Sequence, residues 1–281
     1  MNDFENRLFA PFIVGYSSRE IVDPAVVMDY LGVVKSALAT PRLNSGIFVD
    51  ESGRERVGKP LDELSAEDVA EQLKADGLSF GDARESIVGG FFSNKDLRMG
   101  SREVKQSELR LTLLDAEWSE SDARCEAVWQ LCVDAARRFD CSLLFVGSAN
   151  GFETRYGTTL HVGIGLLDVY WITILGAPFV SVMDCDRLLR LPARRVERLG
   201  PDMVAVQSHG TFAESVSLAG KEDRMKIRSA IGEEFFAQPS KVSGASGEIG
   251  IWNALKLASI WRREKRGFDD VSGKAKVQPK F

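Results

Sequence analysis

The sequence predicts an α+β fold, with a largely antiparallel central sheet flanked by helices. Three observations carry that reading. Apolar runs of strand length and stretches of helical periodicity both recur, but they do not alternate as regular βαβ units. Arg195–Leu199 and Met203–Gln207 flank Gly200-Pro201-Asp202, a turn sequence that joins two strands as a hairpin. Between about Glu120 and Phe139, Cys125, Val128, Trp129, Cys132, Ala136 and Phe139 line one side of a helix. Arg124, Glu126, Asp134, Arg137 and Arg138 fall mainly on the other side.

The elements follow in chain order. Phe12–Tyr16 reads as the first strand. Asp23-Pro24 opens a helix, Asp as cap and Pro at the first helical position. Val27, Tyr30, Leu31, Val34 and Leu38 give it one apolar face, and Pro41 ends it. Gly46–Val49 is a short strand, and residues 50–60 read as a loop. Ser65 then caps a helix with Asp68 at its third position, and Leu64 can staple against Val69. Its thin stripe of Val69 and Leu73 makes it peripheral.

Ile87–Phe92 reads as a strand, residues 93–102 as a loop, and Glu108–Leu114 as a strand with Leu109, Leu111 and Leu113 on one face. Leu143–Val146 is apolar throughout, as expected of a strand central in its sheet. After the hairpin, residues 209–220 read as a loop. A helix follows from about Lys221 to Phe236, with Ile227, Ile231 and Phe235 on one stripe. Residues 238–247 are linker-like. A last helix, about Glu248 to Arg266, presents Ile251, Leu255, Ala258 and Trp261. One domain over residues 1–267 and a flexible tail at 268–281 are expected.

Composition narrows the function classes. The net charge of −5 is unlike the basic balance of a nucleic-acid binder, so no direct nucleic-acid contact is expected. The charge is unevenly spread. Residues 1–150 carry 17 basic and 26 acidic residues, a net of −9, whereas residues 151–281 carry a net of +4. The densest acidic stretch is 61–85, with eight acidic residues against Lys74 and Arg84. An acidic surface steers a basic partner by long-range attraction. Cys125, Cys132, Cys141 and Cys185 form no C-x-x-C pair, and Cys125 and Cys132 are too far apart along a helix for a disulfide. They read as small buried groups in a reducing compartment. The N-terminus lacks a signal pattern, and the run Leu160–Val182 is too interrupted to span a bilayer. A cytoplasmic protein without membrane contact is expected.

Catalytic machinery is hard to assemble from these residues. The two histidines, His161 and His209, lack a matched acidic or cysteine pattern and read as structural. Ser148, in VGSANG, lacks the flanking glycines of a nucleophile elbow. Gly163-x-Gly165 lacks the third glycine and the helix of a dinucleotide fingerprint. No catalytic residue, metal ligand or cofactor is expected. Of the five tryptophans, Trp118, just before a helix cap, is the one expected to be partly exposed; the others read as core.

One stretch carries a family signature. It comprises Trp171-x-Thr173-x-Leu175-Gly176, a Leu188-Leu189 segment ending at Pro192, and a hairpin closing on Val206-Gln207-Ser208. It resembles the immunity protein 52 family of bacterial polymorphic-toxin systems, and a broader group of type VI secretion-associated proteins. The resemblance implies a non-enzymatic protein that neutralises a cognate secreted nuclease, of restriction-endonuclease-like fold, inside the producing cell. It supplies no catalytic residues, and Trp171, Leu175 and Gly176 read as core within it. A nuclease must present basic residues to phosphates, and an inhibitor can meet them with carboxylates. Asp62, Glu63, Glu67, Asp68 and Glu71 are the expected partner-binding residues. Two other readings stay open: an adaptor or chaperone that loads an effector onto a secretion machine, and a hydrolase or transferase using Ser148, His161 or His209.

Overall fold

The computed structural model describes residues 10–236, apart from 18–20, 22, 40–41, 46, 50–54, 76, 83–85, 100–101, 149–165 and 167. The expected last helix, its Trp252 and Trp261, the C-terminal tail and His161 lie outside the described residues.

Strand β1 is Pro11–Ser17 and helix α1 is Pro24–Ala37. The Asp23 carboxylate accepts the Ala25 N–H at 2.9 Å, so the expected cap is formed. Val27, Tyr30, Leu31 and Val34 are buried, as their spacing predicts. Strands β2 (Leu43–Ser45), β3 (Ile47–Val49) and β4 (Glu55–Val57) follow. Residues 50–60 are therefore not all loop: β4 pairs antiparallel with β3. A 3-10 turn at Leu61–Glu63 precedes α2, Ala66–Ala75. The Ser65 Oγ accepts the Asp68 N–H at 3.1 Å, and the Asp68 carboxylate accepts the Ser65 N–H at 2.9 Å. This reciprocal box is the one expected from the sequence.

Next come β5 (Leu78–Asp82), β6 (Ile87–Met99) and β7 (Arg102–Leu113). Residues 93–102 thus belong largely to a long hairpin. The β1–β7 pairing ends at Ser17 and Ser107, and the β5–β6 pairing at Leu78 and Phe91. Beyond that, β6 and β7 pair only with each other among the described residues. The sequence there shows no apolar alternation, so it gives no strand signal.

A short α3 (Glu117–Glu120) leads into α4, Asp122–Arg138, whose buried side includes the expected Cys125, Val128, Trp129, Cys132 and Ala136. Trp118 is buried, contrary to expectation; the Arg124 guanidinium lies 4.5 Å from its ring centroid and supplies the cover. Strands β8 (Cys141–Ser148) and β9 (Ile172–Leu175) follow, then α5 (Ala177–Met183) and α6 (Cys185–Leu188). The hairpin is β10 (Arg195–Gly200) and β11 (Met203–Gln207).

Residues 209–220 are largely helical rather than loop. They form α7 (Phe212–Val216) and the start of α8 (Leu218–Ile231). Thr211 and Glu214 make a capping box, and the Ser217 Oγ accepts the Gly220 N–H at 3.0 Å. These short helices owe their start to side-chain caps rather than to apolar periodicity. Gly232, at φ +113°, stops α8, so Phe235 falls in a following 3-10 turn.

The nine strands of the main sheet among the described residues lie in the order β10-β11-β9-β8-β1-β7-β6-β5-β2, antiparallel at every junction. One face carries α1, α2 and α4, packed on Ile13, Leu144, Val146, Ile172, Ile174 and Ala205. The other carries α5, α6 and α8, packed on Val14, Tyr16, Leu143, Phe145, Leu175 and Val204. Among the described residues, strands β5, β6 and β7 give core residues to the first face only. The contrast explains two sequence patterns: the unbroken apolar run in β8 and the alternation in β7.

Candidate functional site

The acidic segment sits at the β5 end of the sheet. Val69 and Leu73 are buried and hold α2 to the first face. Asp62, Glu63, Glu67 and Glu71 are exposed and Asp68 is half-buried. Their partners divide the five. Asp62 pairs with Lys35, Glu63 lies 3.9 Å from Arg42, and Asp68 lies 3.9 Å from Lys59. Asp68 also serves the helix cap. The Ser65 N–H, then the Ser65 hydroxyl, hold its carboxyl below the usual aspartate range. Glu67 and Glu71, one turn apart, have no ion-pair partner among the described residues. These two present outward negative charge.

The signature residues lie elsewhere. Trp171 is buried, stacks edge-on against Phe212 at 5.6 Å between centroids, and donates its Nε1–H to the His209 carbonyl at 3.0 Å. Leu175 is buried in the second layer. Gly176 opens α5 where a Cβ would stand 2.2 Å from the Cys141 carbonyl oxygen. Only glycine admits that approach. The three cysteines Cys125, Cys132 and Cys141 are buried free thiols, and burial pushes each of them up from the ordinary thiol value.

Ser148 and His209 do not meet. Ser148, at the end of β8, lines a cavity of about 160 Å³ with Tyr170, Ser215 and Arg224. His209 lines another, of about 600 Å³. There its Nδ1 is 3.0 Å from the Ser208 Oγ, and its Nε2 is 3.7 Å from the Asp223 carboxylate. The three residue types are those of a nucleophilic triad, but the Ser208 hydroxyl is buried and has other partners. The buried Ser208 hydroxyl donates to the Trp171 carbonyl at 3.2 Å. The same hydroxyl is 3.3 Å from the Ser215 Oγ, so the His209 imidazole is one of three groups around it. Asp223 is held below the usual aspartate range, chiefly by a 2.6 Å hydrogen bond from Lys226, whose own pKa is raised by the same contact.

The larger cavity also gathers Asp122 from α4, Glu214 from α7 and Asp223 from α8, with Arg194 beside them. Sequence reasoning missed this convergence. The residues are about a hundred positions apart, and the packing of α7 against α3 and α8 brings them together. No group of three or more His, Cys, Asp or Glu side chains suited to a metal ion occurs among the described residues.

The fold has a solved counterpart. The chain is similar to the Pseudomonas aeruginosa T6SS protein PA0821, with a TM-score of 0.59 over 95% of this chain and 89% of that one. The two are 12% identical, so the likeness is one of fold. No protein-family model and no curated protein sequence matches the chain. No helix among the described residues is long and apolar enough to cross a membrane.

Proposed function

We propose that this chain is an immunity protein that binds and neutralises a cognate secreted nuclease in the producing bacterium, by contact rather than by catalysis. The observation that carries the reading is the likeness, over nearly the whole chain, to a type VI secretion protein. The Trp171–Ser208 signature and the outward carboxylates on α2 add to it. In this reading α2 attracts the basic, phosphate-binding surface of the nuclease, with Glu67 and Glu71 as the direct contacts and Asp62, Glu63 and Asp68 adding to the field. No cofactor takes part, and inhibition takes place in the cytoplasm, where the nuclease would otherwise reach DNA.

The test is co-expression with the nuclease encoded beside the chain, followed by a DNA-degradation assay on the purified pair. Restored viability and intact DNA are expected. A stable complex that still degrades DNA would identify an adaptor instead, and neither rescue nor complex would overturn the reading. Replacing His209 by Gln leaves protection intact if no hydrolase chemistry is involved.

A further inference from the structure

The hairpin of β6 and β7 runs past the sheet that supports it. Its inner half is flanked on both sides, by β5 up to Phe91 and by β1 up to Ser107. From Ser93 and Ser107 outward, the two strands pair only with each other among the described residues, as far as Met99 opposite Arg102. At about 3.3 Å per residue, Ser93–Met99 makes an arm about 20 Å long. A two-stranded ribbon on its own is marginally stable at best in water. It also offers two unpaired backbone edges to other chains. Such an arm calls for a partner.

The arm's charge runs against its surroundings. Residues 93–106 hold Lys95, Arg98, Arg102 and Lys105 against Asp96 and Glu103, a net of +2. They lie within a half of the chain, residues 1–150, whose net is −9. The acidic helix α2 adjoins the root of the arm. Gly77, just past α2, donates its N–H to the Gln72 carbonyl at 3.0 Å, and a Cβ there would stand 2.1 Å from the Phe91 carbonyl oxygen. The end of α2 is therefore fixed against the backbone of β6 where the arm begins. Glu71 lies one turn before that end.

A nuclease presents both signs of charge. The walls that bind phosphate are basic, and the catalytic centre holds divalent cations on carboxylates. We propose that the β6–β7 arm enters the cleft of the nuclease bound at α2 and brings its basic residues to the carboxylates that hold the metal ions. The helix then answers the walls and the arm answers the centre. The inference rests on the immunity reading, and within it assigns inhibition to occlusion of the active site. A nucleic acid is the poorer occupant, because the acidic helix at the root of the arm repels a phosphate backbone.

The test measures the affinity of the full chain for the cognate nuclease by calorimetry, without metal and with saturating Mn²⁺ at matched ionic strength. Arm and metal compete for the same carboxylates, so Mn²⁺ is expected to weaken the parent's binding at least tenfold. A variant with Lys95→Gln, Arg98→Gln, Arg102→Gln and Lys105→Gln is expected to bind at least tenfold more weakly than the parent without metal, and to lose the dependence on Mn²⁺. Parent affinity independent of Mn²⁺, or a discharged variant as tight as the parent, overturns the proposal. If the discharged variant melts below the parent, a second one takes its place, with Asn94–Gln106 replaced by an Asn-Gly turn that closes the hairpin at the paired Ser93 and Ser107. Binding of duplex DNA by the parent that the discharged variant loses gives the arm to nucleic acid and also overturns the proposal. A parent that binds no nuclease with or without metal fells the immunity reading itself, and the arm's role with it; a parent that binds and protects leaves the variants to judge the arm alone.

Discussion

The middle of the sheet and its β5 end are built differently. Strands β8, β9 and β11 are buried on both faces, between α4 on one side and α5 and α8 on the other. At the β5 end, α2 is held by Val69 and Leu73, and the strands there contribute, among the described residues, to one layer of core. The signature residues belong to the first region and the outward carboxylates to the second. The difference separates two jobs. The middle specifies the fold and admits little change. At the margin, Glu67 and Glu71 are exposed and take no part in the core, so the proposed partner contact falls where substitution disturbs the fold least.

If that division is right, the largest effects of substitution belong to the middle. Trp171→Ala removes a fully buried indole and leaves the His209 carbonyl without its donor. A loss of about 3–5 kcal/mol is expected from a cavity of this kind. Urea denaturation measures it, and a loss under about 1 kcal/mol would break the comparison. Gly176→Ala comes next. Its φ of −88° suits any residue, so the cost is steric: the new methyl meets the Cys141 carbonyl in the adjoining strand. Overpacking against backbone is expected to cost about 1–3 kcal/mol. A thermal melt unchanged from the parent would show that the β8–α5 junction is looser than its geometry implies.

The margin should respond more weakly. Ser65→Ala removes one half of the α2 capping box, at about 1 kcal/mol. It also removes a hydrogen bond that holds the Asp68 carboxyl below the usual range. The sign follows from that depression. The Asp68 contribution is complete above the ordinary aspartate range and is lost as the pH falls through the lowered value. Ser65→Ala should therefore flatten the acid limb of the stability profile, most clearly in amide exchange of α2. An acid limb identical to the parent's would mean that Ser65 does not couple to Asp68.

Much of the middle was legible in the sequence because burial on one or two faces leaves a periodic trace. The caps at Asp23 and Ser65, the stripe of α4 and the Gly200-Pro201-Asp202 hairpin all follow from local chemistry. The errors fall where no such trace exists. The outer half of the β6–β7 hairpin pairs only with itself among the described residues, and α7 is a five-residue helix set by its caps. Trp118 is covered by an arginine six residues on, which periodicity does not register. The candidate sites were only half legible. Composition located the acidic stretch, but the ion pairs of Asp62, Glu63 and Asp68 arise from tertiary packing. So does the meeting of Asp122, Glu214 and Asp223.

The smallest change in stability, and the most telling one for function, is expected from Glu67→Lys with Glu71→Lys. Both side chains are exposed and unpaired among the described residues, so stability should move by no more than about 0.5 kcal/mol. Binding should separate them from Asp62 and Glu63. Long-range steering counts net charge, so reversing either pair should slow association with a basic nuclease at low salt, and the loss should shrink as salt is added. Dissociation counts direct contacts. Asp62 and Glu63 are engaged with Lys35 and Arg42, so only the Glu67 and Glu71 reversal should raise the dissociation rate. Surface plasmon resonance at two salt concentrations reads both rates. Equal dissociation from the two double variants would remove α2 from the contact and leave it a steering role. Unchanged association as well would move the whole interface away from this margin, because a net change of four charges on a contacted or facing surface cannot leave the encounter rate untouched.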